Sequence, residues 1–178
     1  MFVFFSCSGN HSESKQSENT EAKKSVINCD SLKRLALKSD SILLSQMEID
    51  QAAARAGIKA FADFANFCPT DSLSPIYLIK CAQVARAINQ IPQAKLVLEK
   101  CVRDYPQFKD RPAALFLLAQ LYDEVTYLNN EEEAKKLYEQ IITEYPSSDW
   151  AHSARGAMQF LGKSDAEIIK ELKKKNGK

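Results

Sequence analysis

Three stretches of the chain carry the same pattern: a small residue, three variable positions, a large apolar residue, and a proline eight residues further on. They are Gly57–Phe61 with Pro69, Ala94–Leu98 with Pro106, and Ala134–Tyr138 with Pro146. Residues four apart share one face of a helix, and proline stops a helix because it has no N–H to donate. The pattern therefore marks the second half of a helix–turn–helix unit, used repeatedly. Stacked units of this kind bury a continuous core between neighbours and leave an extended surface for binding. They fix the architecture and a class of function, and they leave the partner unspecified.

Composition agrees. The chain has 178 residues, 45% of them hydrophobic, enough for one core plus a tail. Only 5 are glycine, and no alternating apolar run bounded by turn residues predicts a strand. A net charge of +1, from 24 basic and 23 acidic residues, gives no global field for nucleic acid. The run Lys173–Lys175 reads as a solvated helix end, where the helix dipole favours cations.

The helices can be placed from their stops and starts. Asp30 to Ser45 forms the first, with Asp30-Ser31 as its N-cap. Gln46 to Phe67 forms the second, with Ile49, Ala53, Ala56, Ala60 and Phe64 as its apolar stripe. The third runs from Ser74 to Asn89 and presents Leu78, Cys81, Ala82 and Ala85. Pro92 opens the fourth, closed at Tyr105-Pro106, and Pro112 opens the fifth, which presents Leu115, Leu118, Ala119 and Tyr122. Glu131–Tyr145 is the sixth and Asp149–Leu161 the seventh, with Gly162 as its C-cap. Ser164 and Glu167 form a capping box for the last.

In register, the third and fifth helices match at Pro75/Pro112, Leu78/Leu115, Ala82/Ala119 and Gln83/Gln120. The paired helices resemble tetratricopeptide repeats, best at Ala119, Tyr122, Ala134, Tyr138 and Pro146, and also at Ala82, Ala94, Leu98 and Pro106. The chain departs from that signature at Ala85, where Tyr is usual, and at Ile141, where a small residue is usual. The turn from Tyr122 to Ala134 is also about three residues longer. The resemblance covers residues 46–172. It implies an all-α fold of antiparallel helix pairs stacked as a short right-handed solenoid, and a non-catalytic role in protein–protein interaction.

In such a stack the first helix of each pair lines the concave face. The groove positions are then Ile76, Ile79, Gln83 and Arg86, followed by Phe116, Gln120, Asp123 and Glu124, then Trp150 and Phe160. That mixture suits a helical or extended peptide with an apolar anchor. Trp150 reads either as the anchor point, since a lone Trp is a typical hot spot, or as a core plug under the last helix. Family members that bind chaperone tails clamp a carboxylate with Lys and Asn. Ile79 and Gln83 stand at those positions here, which argues against that ligand.

Nothing in the pattern predicts catalysis, a cofactor or a metal. Neither His11 nor His152 has a nucleophile nearby in sequence, there is no Gly-rich phosphate loop, and the cysteines lack metal-ligand spacing. Glu131-Glu132-Glu133 reads as a solvated helix start.

The N-terminus points to location. Met1 to Ser6 is an apolar stub, too short to cross a membrane, ending in a small residue and Cys7. A polar stretch over 8–28 follows, a composition that cannot bury enough apolar surface to order itself. Residues 1–7 resemble the end of a bacterial lipoprotein signal, with Cys7 as the lipidated residue. Phe4 stands where Leu is usual, and the basic upstream half is missing. An unmodified hydrophobic N-terminus is the alternative. Of the other cysteines, Cys29, Cys68, Cys81 and Cys101 are four that could pair in an oxidising compartment. Cys81 and Cys101 fall on inward faces and read as small core residues, with a disulfide between them as the alternative. Asp30-Ser31-Leu32, Asp40-Ser41-Ile42 and Asp71-Ser72-Leu73 resemble the O-glycosylation motif of Bacteroidota, but Asp-Ser before a helix is also what capping produces.

Taken together, the residues predict a lipid-anchored adaptor at the outer membrane, facing the periplasm, with 29–178 as the helical domain. Its expected partner is an envelope protein or peptide segment, with no nucleic acid. At repeat level it resembles the repeat lipoprotein of the barrel-assembly machinery and the repeat domain of the Tol–Pal coordinator. The alternative is a soluble cytoplasmic peptide-binding repeat protein.

Overall fold

The computed structural model describes residues 28–176. Residues 1–27, which hold Cys7 and nearly all of the expected tether, lie outside them. Among the described residues there are eight helices and no strand. They are α1 (Cys29–Leu44), α2 (Gln51–Phe67), α3 (Ser74–Ala87), α4 (Ile91–Asp104), α5 (Arg111–Asp123), α6 (Glu131–Glu144), α7 (Asp149–Met158) and α8 (Asp165–Asn176). From α1 to α7 each helix packs chiefly on its neighbours in the chain, and α5 also meets α7, which is the contact pattern of a solenoid. No helix among them is long and apolar enough to cross a membrane.

The recurring pattern is the core. Gly57, Phe61, Ala94, Leu98, Ala134 and Tyr138 are all buried. A Cβ on Gly57 would fall 2.6 Å from Leu43 Cδ1, so the missing side chain is what seats α1 against α2 there. The prolines mark three turns of one geometry. Cys68, Tyr105 and Tyr145 end α2, α4 and α6 with φ between −124° and −132° and ψ between 52° and 59°. Each donates its N–H to the carbonyl four residues back. Each cap carbonyl then accepts from the residue three further on: Asp71, Phe108 and Ser148, at 3.0 to 3.1 Å.

α5 shows why the middle of a stack reads as nearly continuous apolar sequence. Ala114, Leu118 and Leu121 join the core made with α2, α3 and α4, while Leu115 and Ala119 join a second core with Ala134, Tyr138 and Ile141. A helix buried on two sides needs apolar residues around most of its circumference. Ala119 has no exposed surface, so Ala119→Leu forces α5 away from α6. The expected loss is about 1–3 kcal/mol, and an unchanged thermal melt would remove Ala119 from this contact.

Several boundaries differ from expectation. Asn28, not Asp30-Ser31, caps α1, accepting from the N–H of Asp30 at 2.9 Å. Asp40-Ser41 lies inside α1, where Asp40 pairs with Lys80 instead of capping anything. Only Asp71 behaves as a turn-forming Asp, accepting from the N–H of Leu73 at 2.9 Å. α2 begins at Gln51 because Asp50 is extended and accepts from the N–H of Ala53 at 2.7 Å, so Met47 and Ile49 fall in an exposed linker. The buried face of α2 is Ala54, Gly57, Ile58, Ala60, Phe61, Phe64 and Ala65, and Ala56 is exposed. α3 stops at Ala87 and α7 at Met158, short of the expected Asn89 and Leu161. Gly162 takes a left-handed φ of 73°, which suits glycine, and the capping box of α8 forms, with Ser164 N–H donating to Glu167 at 2.8 Å.

The cysteines resolve unevenly. Cys29 and Cys68 form a disulfide that ties the start of α1 to the end of α2. Cys81 and Cys101 are free and buried, and burial pushes each thiol up to about 12. Their Sγ atoms point at the carbonyls of Ile58 and Pro75. A thiol held neutral and covered does not react. Peptide mapping after iodoacetamide at pH 8 should find residues 81 and 101 unmodified in folded protein and alkylated after urea unfolding; rapid labelling of either in the folded state would contradict their burial.

Candidate interaction groove

Counted from the three matching caps, α3, α5 and the segment through α7 place side chains in common rows. Ile79 aligns with Phe116, Gln83 with Gln120 and Phe160, and Arg86 with Asp123 and Lys163. The face they build holds two depressions. The first has a volume of ≈ 280 Å³ and is walled by Ile76, Ile79, Gln83, Phe108, Asp110 and Trp150. The second, ≈ 440 Å³, lies between the end of α5, the loop after it, and the turn into α8, and is lined by Gln120, Asp123, Glu124, Val125, Phe160 and Ile168 among others.

An aromatic cluster lies beneath the face between them. The Phe116 ring lies 5.3 Å from Trp150 and 5.6 Å from Tyr138, and the Tyr138 hydroxyl donates to Asp123 at 3.3 Å. On the opposite side Arg86 donates to the Gln120 side chain at 3.5 Å. Trp150 is half-buried, packs on the second core and borders the first depression. It does not sit under α8, which makes few contacts with any other helix.

The charges on this face are unevenly compensated. Lys80 is held by Asp40 at 2.6 Å, and Lys163 by both oxygens of Glu171 at 2.8 Å. Among the described residues, Asp110, Asp123 and Glu124 have no ion-pair partner. Desolvation holds the Asp123 carboxyl above its ordinary range against the lowering effect of the Tyr138 hydrogen bond, and nearby Glu124 and Glu131 push the same way as desolvation.

The expected groove residues Ile76, Ile79, Gln83 and Trp150 thus border one depression, and Gln120, Asp123, Glu124 and Phe160 border the other. Phe116 borders neither and packs on Tyr138 and Trp150, and Arg86 lies between α3 and α5. Phe108 and Asp110 were not among the positions expected from sequence. A signal existed: Phe108 occupies the turn position where Asp71 and Ser148 cap with side-chain oxygens, a job no phenyl ring can do. Among the described residues no group of three His, Cys, Asp or Glu is arranged to hold a metal ion.

Residues 113–148 match the family described as Tetratricopeptide repeat. The match spans nearly all of α5, α6 and the turn into α7, which is the unit best formed in sequence. No curated protein matches the chain at a significant level of similarity. The chain therefore carries a tetratricopeptide repeat within an all-α solenoid, a unit that serves generally as a protein–protein interaction module and as a non-catalytic adaptor.

Proposed function

We propose that this chain is a non-catalytic adaptor of the bacterial cell envelope, lipid-anchored through Cys7 at the outer membrane and facing the periplasm. It receives a segment of another envelope protein on the face built by α3, α5 and α7. The observation that carries the binding role is the first depression: half-buried Ile76, Ile79, Phe108 and Trp150 turn apolar surface to the same opening, the last three while packing on the cores from the other side. An apolar pocket with a Trp at its edge is where interface energy concentrates.

The location rests on two supports. The lipobox-like end at Cys7 is followed by a polar tether, a combination that holds a domain off a membrane. The Cys29–Cys68 disulfide favours an oxidising compartment such as the periplasm. The cytoplasmic alternative predicts neither acylation nor a stable disulfide.

Both parts are testable in cells expressing the gene from its own locus. Palmitate should label the protein, and Cys7→Ser should abolish the label; labelling absent from wild type overturns the anchor. A partner that co-purifies with wild type should be lost with Ile79→Glu or Trp150→Ala and kept with Lys135→Ala on α6. Retention by both groove variants overturns the assigned face.

A further inference from the structure

Resting on that reading of the groove, we infer that the segment it receives is basic: a large apolar side chain seated at Trp150 and, further along, an arginine seated between Asp123, Glu124 and Phe160. Three observations converge on this chemistry. Gln83 borders the first depression and Gln120 the second, and the two share one row of the face, so one chain segment crossing that row meets both. The lysines that border the depressions are already paired, Lys80 with Asp40 and Lys163 with Glu171, while Asp110, Asp123 and Glu124 form no ion pair among the described residues. Arg86 borders neither depression and donates to Gln120 instead of a carboxylate.

The second depression also fits a guanidinium better than an ammonium. Asp123 and Glu124 offer carboxylates on one side, and the Phe160 ring, which Lys163 already approaches at 6.0 Å, supplies an aromatic wall. A planar fork can bond carboxylates in two places and stack on a ring; an ammonium remains a point charge. An acidic segment, or one ending in a free carboxylate near this site, meets repulsion instead.

The test uses the full chain and labelled twelve-residue peptides, acetylated and amidated, carrying one Phe and, at three to nine residues from it, Arg, Lys, Gln or Glu. Binding is read by peptide anisotropy at low salt, and Trp150, the sole Trp of the chain, reports engagement of the first depression. The best Arg peptide should bind about tenfold or more tighter than its Gln counterpart, with Lys between and Glu weakest. Asp123→Asn with Glu124→Gln should erase the Arg preference but keep the Phe-dependent affinity, with an unchanged thermal melt; Glu139→Gln on α6 should change nothing.

Equal affinity for Arg, Gln and Glu peptides, with Trp150 responding, overturns the basic-segment inference and leaves the groove reading standing. An Arg preference that survives the double variant places it elsewhere and overturns the inference too. Failure of every peptide to bind removes the groove reading itself, and the inference with it.

Discussion

Phe61→Ala should destabilise the protein by about 3–5 kcal/mol. Phe61 has no exposed surface and stacks on Tyr77 of α3 at 5.0 Å, while Phe64 meets the same ring edge-on at 5.5 Å. Removing it leaves a cavity between α2 and α3 that rigid neighbouring helices close only in part. In a stack the damage should also be local, because each unit touches only its neighbours. Trp150 belongs to the second core, with Leu115 and Tyr138, and not to the first. Urea unfolding followed by Trp fluorescence and by far-UV CD should therefore coincide in wild type and separate in Phe61→Ala, with the CD change coming first. A loss below about 1 kcal/mol would contradict the packing assigned to Phe61.

Breaking the Cys29–Cys68 disulfide should cost about 2–4 kcal/mol, and the cost should fall on α1. The bridge closes a loop with a sequence separation of 39, for which chain entropy alone gives about 4 kcal/mol as an upper figure. α1 is the end of the described stack and packs on one side only: Ala36 and Ser39 are its buried residues, Leu32 and Leu43 pack half-buried on the first core, and its polar ties are Lys33 to Asp71 at 3.1 Å and Lys80 to Asp40 at 2.6 Å. With both cysteines changed to Ser, or in reductant, hydrogen exchange over 29–44 should accelerate strongly while α4 to α7 stay protected. Uniform acceleration along the chain would mean that the bridge holds the whole stack and not one helix. Unaltered exchange over 29–44 would mean that α1 does not depend on it.

How far the sequence reaches depends on whether the determining contact is local. The small–large–proline pattern is local, since residues four apart meet on one helix face and a proline stops the helix beside it; the ends of α2, α4 and α6 and their buried positions follow from it directly. At the start of α2 the apolar period runs on through Ile49, yet the Asp50 side chain, bound to the Ala53 N–H, ends the linker later. The Cys29–Cys68 pairing is not legible in sequence, because only the antiparallel return of α2 along α1 brings the two together. In the groove, Ile76, Ile79 and Gln83 follow from their rows on α3, and Trp150 falls beside them. Phe108 and Asp110 come from a turn, where no helical period points. The compensation of Lys80 by Asp40 decides the charge of the face, and it joins residues from helices two apart in the chain.

The most direct test of the interaction face is site-specific photo-cross-linking in the native host, with p-benzoylphenylalanine placed at Gln83 or, as a control, at Lys135. Gln83 is exposed at the edge of the first depression, and Lys135 is exposed on α6. The expected result is a discrete adduct from position 83 that disappears with Trp150→Ala, and none from position 135. Equal adducts from both positions, or an adduct from 135 alone, would contradict binding at the face of α3, α5 and α7.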